Sequence, residues 1–194
     1  VDHTIPNGNY DLVIYYYPKA KPEAQMSLDN IRAVCHQDAQ LFVVGENKSG
    51  VKSAEKQLKD HCGFSDKIDS AKHCILYLFS ELTLNDNFAI SRYHKQFQVK
   101  AGDIEFTAIS VPGVFNHGAL DVGTAVLLNN APTVSKGKVL DFACGAGIIA
   151  TYLGLKQPEL EFVCSDVSAL ATYATEQTLA LNGLKGQAIL SDGL

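Results

Sequence analysis

Residues 139–147, Val-Leu-Asp-Phe-Ala-Cys-Gly-Ala-Gly, carry a short apolar run into an acid, Asp141, then turn through Gly145 and Gly147 into a helical pattern. A glycine turn lets backbone N–H groups approach a ligand closely, and the helix N-terminus behind it adds partial positive charge. A second apolar run, residues 161–165, ends in Asp166, nineteen residues beyond Gly147. A carboxylate at that point accepts hydrogen bonds from both hydroxyls of a ribose. Turn and acid together predict a site for an adenosine-type cofactor.

Gly145-x-Gly147-x-x-Ala150 also satisfies the dinucleotide fingerprint of dehydrogenases. Asp141 separates the two readings. A pyrophosphate is anionic and would be repelled by a carboxylate beside the turn. S-adenosylmethionine has no phosphate and presents a cationic sulfonium and ammonium, which an acid suits. The plain alternatives are a turn or cap role for Asp141 and an N-cap role for Asp166 ahead of the helix that follows.

These residues must be positioned by an alternation of strands and helices. Residues 12–17 form a β-rich run closed by Pro18, and residues 22–37 carry apolar Ala24, Leu28, Ile31 and Val34–Cys35 at helical spacing. A buried strand over 41–44, a helix over 49–61 and a strand over 73–79 follow. Residues 93–99 and 104–110 flank Ala101-Gly102-Asp103 as a hairpin. After Pro112-Gly113 a short helix runs to Leu128. Then come the strand 139–141, a helix from Ile148, a strand to Ser165, a helix over 168–181 and a last strand over 187–190.

Composition bounds the function. Of 194 residues, 46% are hydrophobic, enough for a packed core, and the net charge of −5 argues against a wholesale polyanion-binding surface. Five cysteines without a Cys-x-x-Cys pair read as reduced, buried thiols in a cytoplasmic protein, and zinc ligation lacks its spacing. No apolar run reaches membrane-spanning length. Lys48, Lys52, Lys56 and Lys59, spaced four, four and three apart, are expected along one helical face. Such a face is either an ordinary solvated helix surface or, if RNA binds, the place with Arg92 where its phosphates meet the protein, because residues 139–194 hold two lysines against six acids. His94 and His117 could each serve as a ligand or base, but isolated histidines are more often surface or packing residues.

Val139 to Asp192 resembles the first half of a class I S-adenosylmethionine-dependent methyltransferase. More narrowly, residues 15–24 (Tyr-Tyr-Tyr-Pro-Lys-Ala-Lys-Pro-Glu-Ala), 45–56 (Gly-Glu-Asn-Lys-Ser-Gly-Val-Lys-Ser-Ala-Glu-Lys) and 111–123 (Val-Pro-Gly-Val-Phe-Asn-His-Gly-Ala-Leu-Asp-Val-Gly) resemble the bacterial small-subunit ribosomal RNA guanine-N2 methyltransferases. The resemblance spans essentially the whole chain. It implies an α/β fold of two tandem, doubly wound, Rossmann-like methyltransferase domains, of which the chain carries the second half of the first and the first half of the second. Residues 1–110 would belong to a degenerate, non-catalytic domain and residues 111–194 to the catalytic one.

The implied activity is methylation of a guanine N2 amine in small-subunit (16S) ribosomal RNA, with that RNA or the small ribosomal subunit as partner and no metal or membrane. The implied cofactor, S-adenosyl-L-methionine, would be held by Phe115, Asp121, Asp141, Ala143, Cys144, Gly145, Gly147, Asp166, Val167 and Asp192. Where the family usually begins its motif with a glycine, this chain has Ala143. No catalytic residue is expected here. The family's Asn-Pro-Pro-Phe motif, which holds the target amine, is expected beyond Leu194, and the fold's first three strands ahead of Leu12, so that residues 1–194 alone would transfer no methyl group. Two alternatives stay open: a large-subunit guanine-N2 enzyme, and a non-catalytic scaffold for RNA or protein.

Overall fold

The structure, a computed structural model, describes residues 3–193. The chain divides into two compact units, one up to Arg92 and the other from Tyr93 onward.

The first unit is a four-stranded sheet of order β1-β2-β4-β3, built from β1 (Tyr10–Tyr16), β2 (Cys35–Glu46), β3 (Cys62–Ala71) and β4 (Cys74–Leu82). β1 and β2 are parallel, joined through helix α1 (Lys21–Val34), and β2, β4 and β3 pair antiparallel. Pro22 opens α1, where its missing N–H costs nothing. Ala24, Leu28 and Ile31 of α1 then pack on Leu41, Val43 and Phe79 of the sheet, all essentially inaccessible to water. The helix stops at Cys35 rather than continuing to residue 37, because the chain there enters β2. β3 was not expected. It is an edge strand whose residues are nearly all exposed, so it lacks the buried alternation by which a strand is recognised.

The helix expected over 49–61 is shorter. A 3-10 turn (Asn47–Ser49) comes first, and Gly50, at φ 84°, separates it from α2 (Ser53–Leu58). The single lysine-bearing helical face is therefore broken: Lys48 lies on the 3-10 turn, Lys52 and Lys59 flank α2, and only Lys56 is inside it. All four remain exposed, as does Arg92 on the 3-10 turn Ile90–Tyr93.

The second unit holds the hairpin β5 (Lys95–Ala101) and β6 (Ile104–Ser110), helix α3 (Val122–Asn130), and a parallel sheet of order β7-β8-β9. Its strands are β7 (Gly137–Phe142), β8 (Leu160–Asp166) and β9 (Gly186–Leu190), connected by α4 (Ile148–Lys156) and α5 (Ala169–Leu181). The alternation of parallel strands with crossover helices is the α/β class expected. The compact units part ahead of the hairpin, at Arg92/Tyr93. The hairpin belongs to the second unit because Val99, Phe106 and Ala108 bury themselves with Leu128 of α3 and Tyr152 of α4. A second cluster, Cys144, Ala150, Leu160, Phe162, Cys164 and Leu179, fills the space between the sheet and its helices. Among the described residues no helix is long and apolar enough to cross a membrane, and no group of His, Cys, Asp and Glu could hold a metal ion.

Candidate functional site

β7 and β8 pair in parallel with Asp141 opposite Cys164, so both acids arrive at the same carboxyl end of the sheet. Between β7 and α4 the backbone passes three times through the left-handed region, at Ala143 (φ 59°), Gly145 (φ 56°) and Gly147 (φ 70°). Asp166 braces this turn from the next strand. One carboxylate oxygen accepts the Gly145 N–H at 3.0 Å, and the other accepts the Ser168 N–H at 2.9 Å. The helix that follows is capped by Ser168, whose hydroxyl accepts from Ala171, so Asp166 is not its N-cap. A carboxylate offers about four acceptor positions, so its two backbone bonds leave capacity for two hydroxyls.

A cavity of about 380 Å³ opens over the turn, lined by Ala143, Cys144, Gly145 and Asp166 on one side and by Phe115, Asn116 and Asp121 on the other. Phe97 of the hairpin, Ile148 and Ile149 add apolar wall. A smaller hollow of about 250 Å³ shares Ala143 and Asp166 and adds Val167, Asp192 and Phe142. Eight of the ten residues expected at a cofactor thus meet at two adjoining spaces. Asp141 and Gly147 line neither. Sequence reasoning missed Phe97, whose only signal was its place in the hairpin's alternation, and Asn116, whose positive φ of 51° has no marker in the sequence beyond the residue type.

Asp141 is buried, and its Oδ2 accepts the Ala150 N–H at 3.2 Å in the first turn of α4. Burial pushes its carboxyl up to about 6; the Ala150 bond opposes the rise and the charge of Asp166 adds to it. A carboxyl raised in the folded state from 3.8 stabilises the fold below pH ~4 and loses that contribution as pH rises through about 6. Ionised at neutral pH, it costs the fold about 3 kcal/mol. Asp141→Asn is therefore expected to raise unfolding stability at pH 7.5 by about 1–3 kcal/mol, with the gain vanishing near pH 4. Urea titrations at both pH values check this, and an equal difference at both would refute the assignment.

Asp121 caps α3, its Oδ1 accepting the Thr124 N–H at 3.0 Å. Hydrogen bonds from the Thr124 side chain and N–H hold its carboxyl below the usual range, so it faces the cavity ionised. The Phe115 ring is 79% exposed at the mouth of the cavity it lines. Cys144 and Cys164 are buried thiols, pushed up by burial to about 11 and about 12, with the charge of Asp141 adding to both.

Ala143 stands where the resembling family has glycine, yet keeps the left-handed conformation. That conformation costs a residue with a Cβ about 1–2 kcal/mol, partly offset by glycine's greater freedom in the unfolded chain. Ala143→Gly is accordingly expected to stabilise the protein by about 0.5–1 kcal/mol, read as a higher urea midpoint at unchanged slope. A lower midpoint would show that the alanine is not strained.

Residues 1–97 match the family described as Methyltransferase small domain N-terminal, and residues 105–194 match Methyltransferase small domain. A protein of Pseudoalteromonas translucida (strain TAC 125) named ribosomal RNA small subunit methyltransferase C is 68% identical over the whole chain, and one of the same name from Pseudoalteromonas atlantica is 45% identical over 97% of it. The chain spans 57% and 55% of these relatives, little more than half their length. Among solved structures, a T. thermophilus 16S rRNA N2 methyltransferase in complex with AdoMet and guanosine aligns with 97% of the chain and 52% of its own, at a TM-score of 0.83 and 22% identity, which establishes a shared fold.

Proposed function

The chain belongs to the methyltransferase small domain family, and from that premise we propose that it supplies the S-adenosylmethionine half of an enzyme that methylates the N2 amine of a guanine in small-subunit ribosomal RNA. The observation that carries this reading is the convergence of Asp166, the glycine turn, Phe115 and Asp121 on one cavity. The names of the curated relatives support the RNA assignment.

When bound, the cofactor supplies a methyl group activated on a sulfonium. The chain's own residues bind and orient it. Asp166 accepts from the ribose hydroxyls, and Val167 and Asp192 border the hollow for the base. Asp121, ionised at the other wall, faces the cationic methionine end, while Asp141 supplies negative charge from behind the turn. Phe97, Ile148 and Ile149 keep water from the reacting end, and Phe115 covers it. A guanine amine is a poor nucleophile, because its lone pair is delocalised into the ring, so orientation and fixed charge carry the acceleration. The group that orients the amine is not among these residues.

Calorimetric titration tests the reading. S-adenosylmethionine or S-adenosylhomocysteine should bind, and NAD should not, because its pyrophosphate would enter a cavity bordered by the Asp121 and Asp166 carboxylates with the charge of Asp141 behind the turn. Equal affinity for NAD would sink the proposal.

Ribosomal RNA would reach the first unit through Lys48, Lys52, Lys56, Lys59 and Arg92, and such a substrate places the work in the cytoplasm. Replacing the four lysines by glutamine is expected to flatten the salt dependence of RNA binding by about 0.7–0.9 in logarithmic slope per lost contact, with cofactor affinity unchanged. An unaltered slope in filter binding from 50 to 200 mM salt would remove them from the interface.

A further inference from the structure

Helix α5 and its C-cap residue carry three polar side chains at Thr175, Thr178 and Asn182, spacings of three and four that put them on one face. None of them was expected to matter from the sequence. Thr178 accepts the Ile109 N–H at 2.9 Å and donates back to the Ile109 carbonyl at 3.1 Å, and Asn182 donates to the Thr107 carbonyl at 2.9 Å. These bonds fix α5 along β6, the strand that runs directly into the Phe115 wall of the cavity. One turn earlier on the same face, the fully buried Thr175 reaches the opposite wall. Its hydroxyl lies 3.1 Å from the Gly145 carbonyl and 3.2 Å from the Cys144 sulfur.

A hydroxyl has one proton to give, and the carbonyl is the better acceptor. Cys144, kept protonated by burial, can return its own hydrogen to the Thr175 oxygen. The Gly145 residue is then pinned at both ends, with its N–H on Asp166 and its C=O on Thr175. Nothing lies within 4 Å of where its side chain would be, so the face it turns to the cavity is bare.

We propose that Thr175 is a positioning residue for the cofactor: acting through Gly145, it holds the glycine turn and the Asp166 carboxylate in the geometry that receives a ribose. The inference rests on the cofactor reading above. It goes further by assigning the preorganisation of the turn to a side chain that touches neither the cavity nor a ligand. A turn held open and rigid in advance binds without the entropic cost of ordering it.

The test compares Thr175→Val, which keeps the shape and removes the hydroxyl, with Thr175→Ser, which keeps the hydroxyl. Three quantities are read: affinity for S-adenosylhomocysteine by calorimetry, amide exchange at residues 145–147, and the urea midpoint. One lost hydrogen bond corresponds to about a tenfold weaker affinity. Thr175→Val should show that loss together with faster exchange at the turn, and Thr175→Ser should restore both. A purely structural role would lower the midpoint of Thr175→Val and leave the affinity of the folded protein unchanged, and that result overturns the proposal. Wild-type protein that binds no S-adenosylhomocysteine would instead overturn the cofactor reading, and exchange at the turn, which needs no ligand, would still show whether Thr175 holds it.

Discussion

Replacing Gly147 with alanine is expected to lower the unfolding free energy by about 2–4 kcal/mol, a large share of the roughly 5–15 kcal/mol that stabilises a domain. Two independent effects add. Gly147 sits at φ 70°, where a Cβ crowds its own backbone, and that Cβ would lie 3.0 Å from the Thr175 backbone Cα as well as its methyl group. The methyl could rotate away, but the backbone of α5 cannot. Helix or turn must therefore move, and either movement draws Thr175 away from Gly145. Urea denaturation should show a markedly lower midpoint, and S-adenosylhomocysteine should bind less tightly to the protein that remains folded. Gly145→Ala is the control. It shares the left-handed backbone (φ 56°) but opens into empty space, so its cost in stability is limited to about 1–2 kcal/mol of backbone strain. If Gly147→Ala were no more harmful than Gly145→Ala, the close approach of α5 to the turn would be without energetic consequence.

Asp166→Ala is expected to weaken cofactor affinity by about 1–3 kcal/mol, the scale of hydrogen bonds to a charged group. Affinity alone cannot assign the ribose role, because the Gly145 and Ser168 N–H groups lose their acceptor in the same variant. A thermodynamic cycle separates the two. Wild-type protein should prefer S-adenosylhomocysteine to its 2′-deoxy form, and in Asp166→Ala that preference should collapse to about one. A preference that survives the substitution would leave Asp166 as a brace for the turn and nothing more. The cycle is informative because the deoxy ligand makes every contact except the one in question.

The residues of the glycine turn were legible where a backbone requirement or a charge stands in a fixed relation to a strand end. Gly145, Gly147 and Asp166 announce themselves in this way, since a left-handed turn between a strand and a helix calls for glycine and the next strand must end beside it. Asp141 was legible as an acid at the turn, but its orientation toward the Ala150 N–H was not, because the spacing fits a ligand role and a capping role equally well. The cavity's far wall was visible as the segment 111–123, whereas its attachment to α5 was hidden. Thr175, Thr178 and Asn182 act through single hydrogen bonds to distant backbone, and a helix pattern records only which face is apolar. The hairpin was found but its packing was not, since its partners Leu128 and Tyr152 lie far along the chain. β3 escaped because an exposed edge strand has no face to bury. The helix over 49–61 was overextended for a local reason: Gly50 looks tolerable within a helical run until its φ of 84° is seen.

The buried thiols give the protein an internal clock. Cys144 stands inside the turn with its sulfur against Thr175, and burial keeps it in the unreactive thiol form well above neutral pH. A thiol reagent reacts with the thiolate, and only when the turn swings open. Cys62 and Cys74, both partly exposed in the other unit, are set to react first. The slow modification of Cys144, followed separately from that of the equally buried Cys35 and Cys164, then measures how often the turn opens. Whatever settles onto the closed turn lengthens that slow phase by the ratio of its free concentration to its dissociation constant, plus one, so the time course of modification reads out occupancy without a label on the ligand.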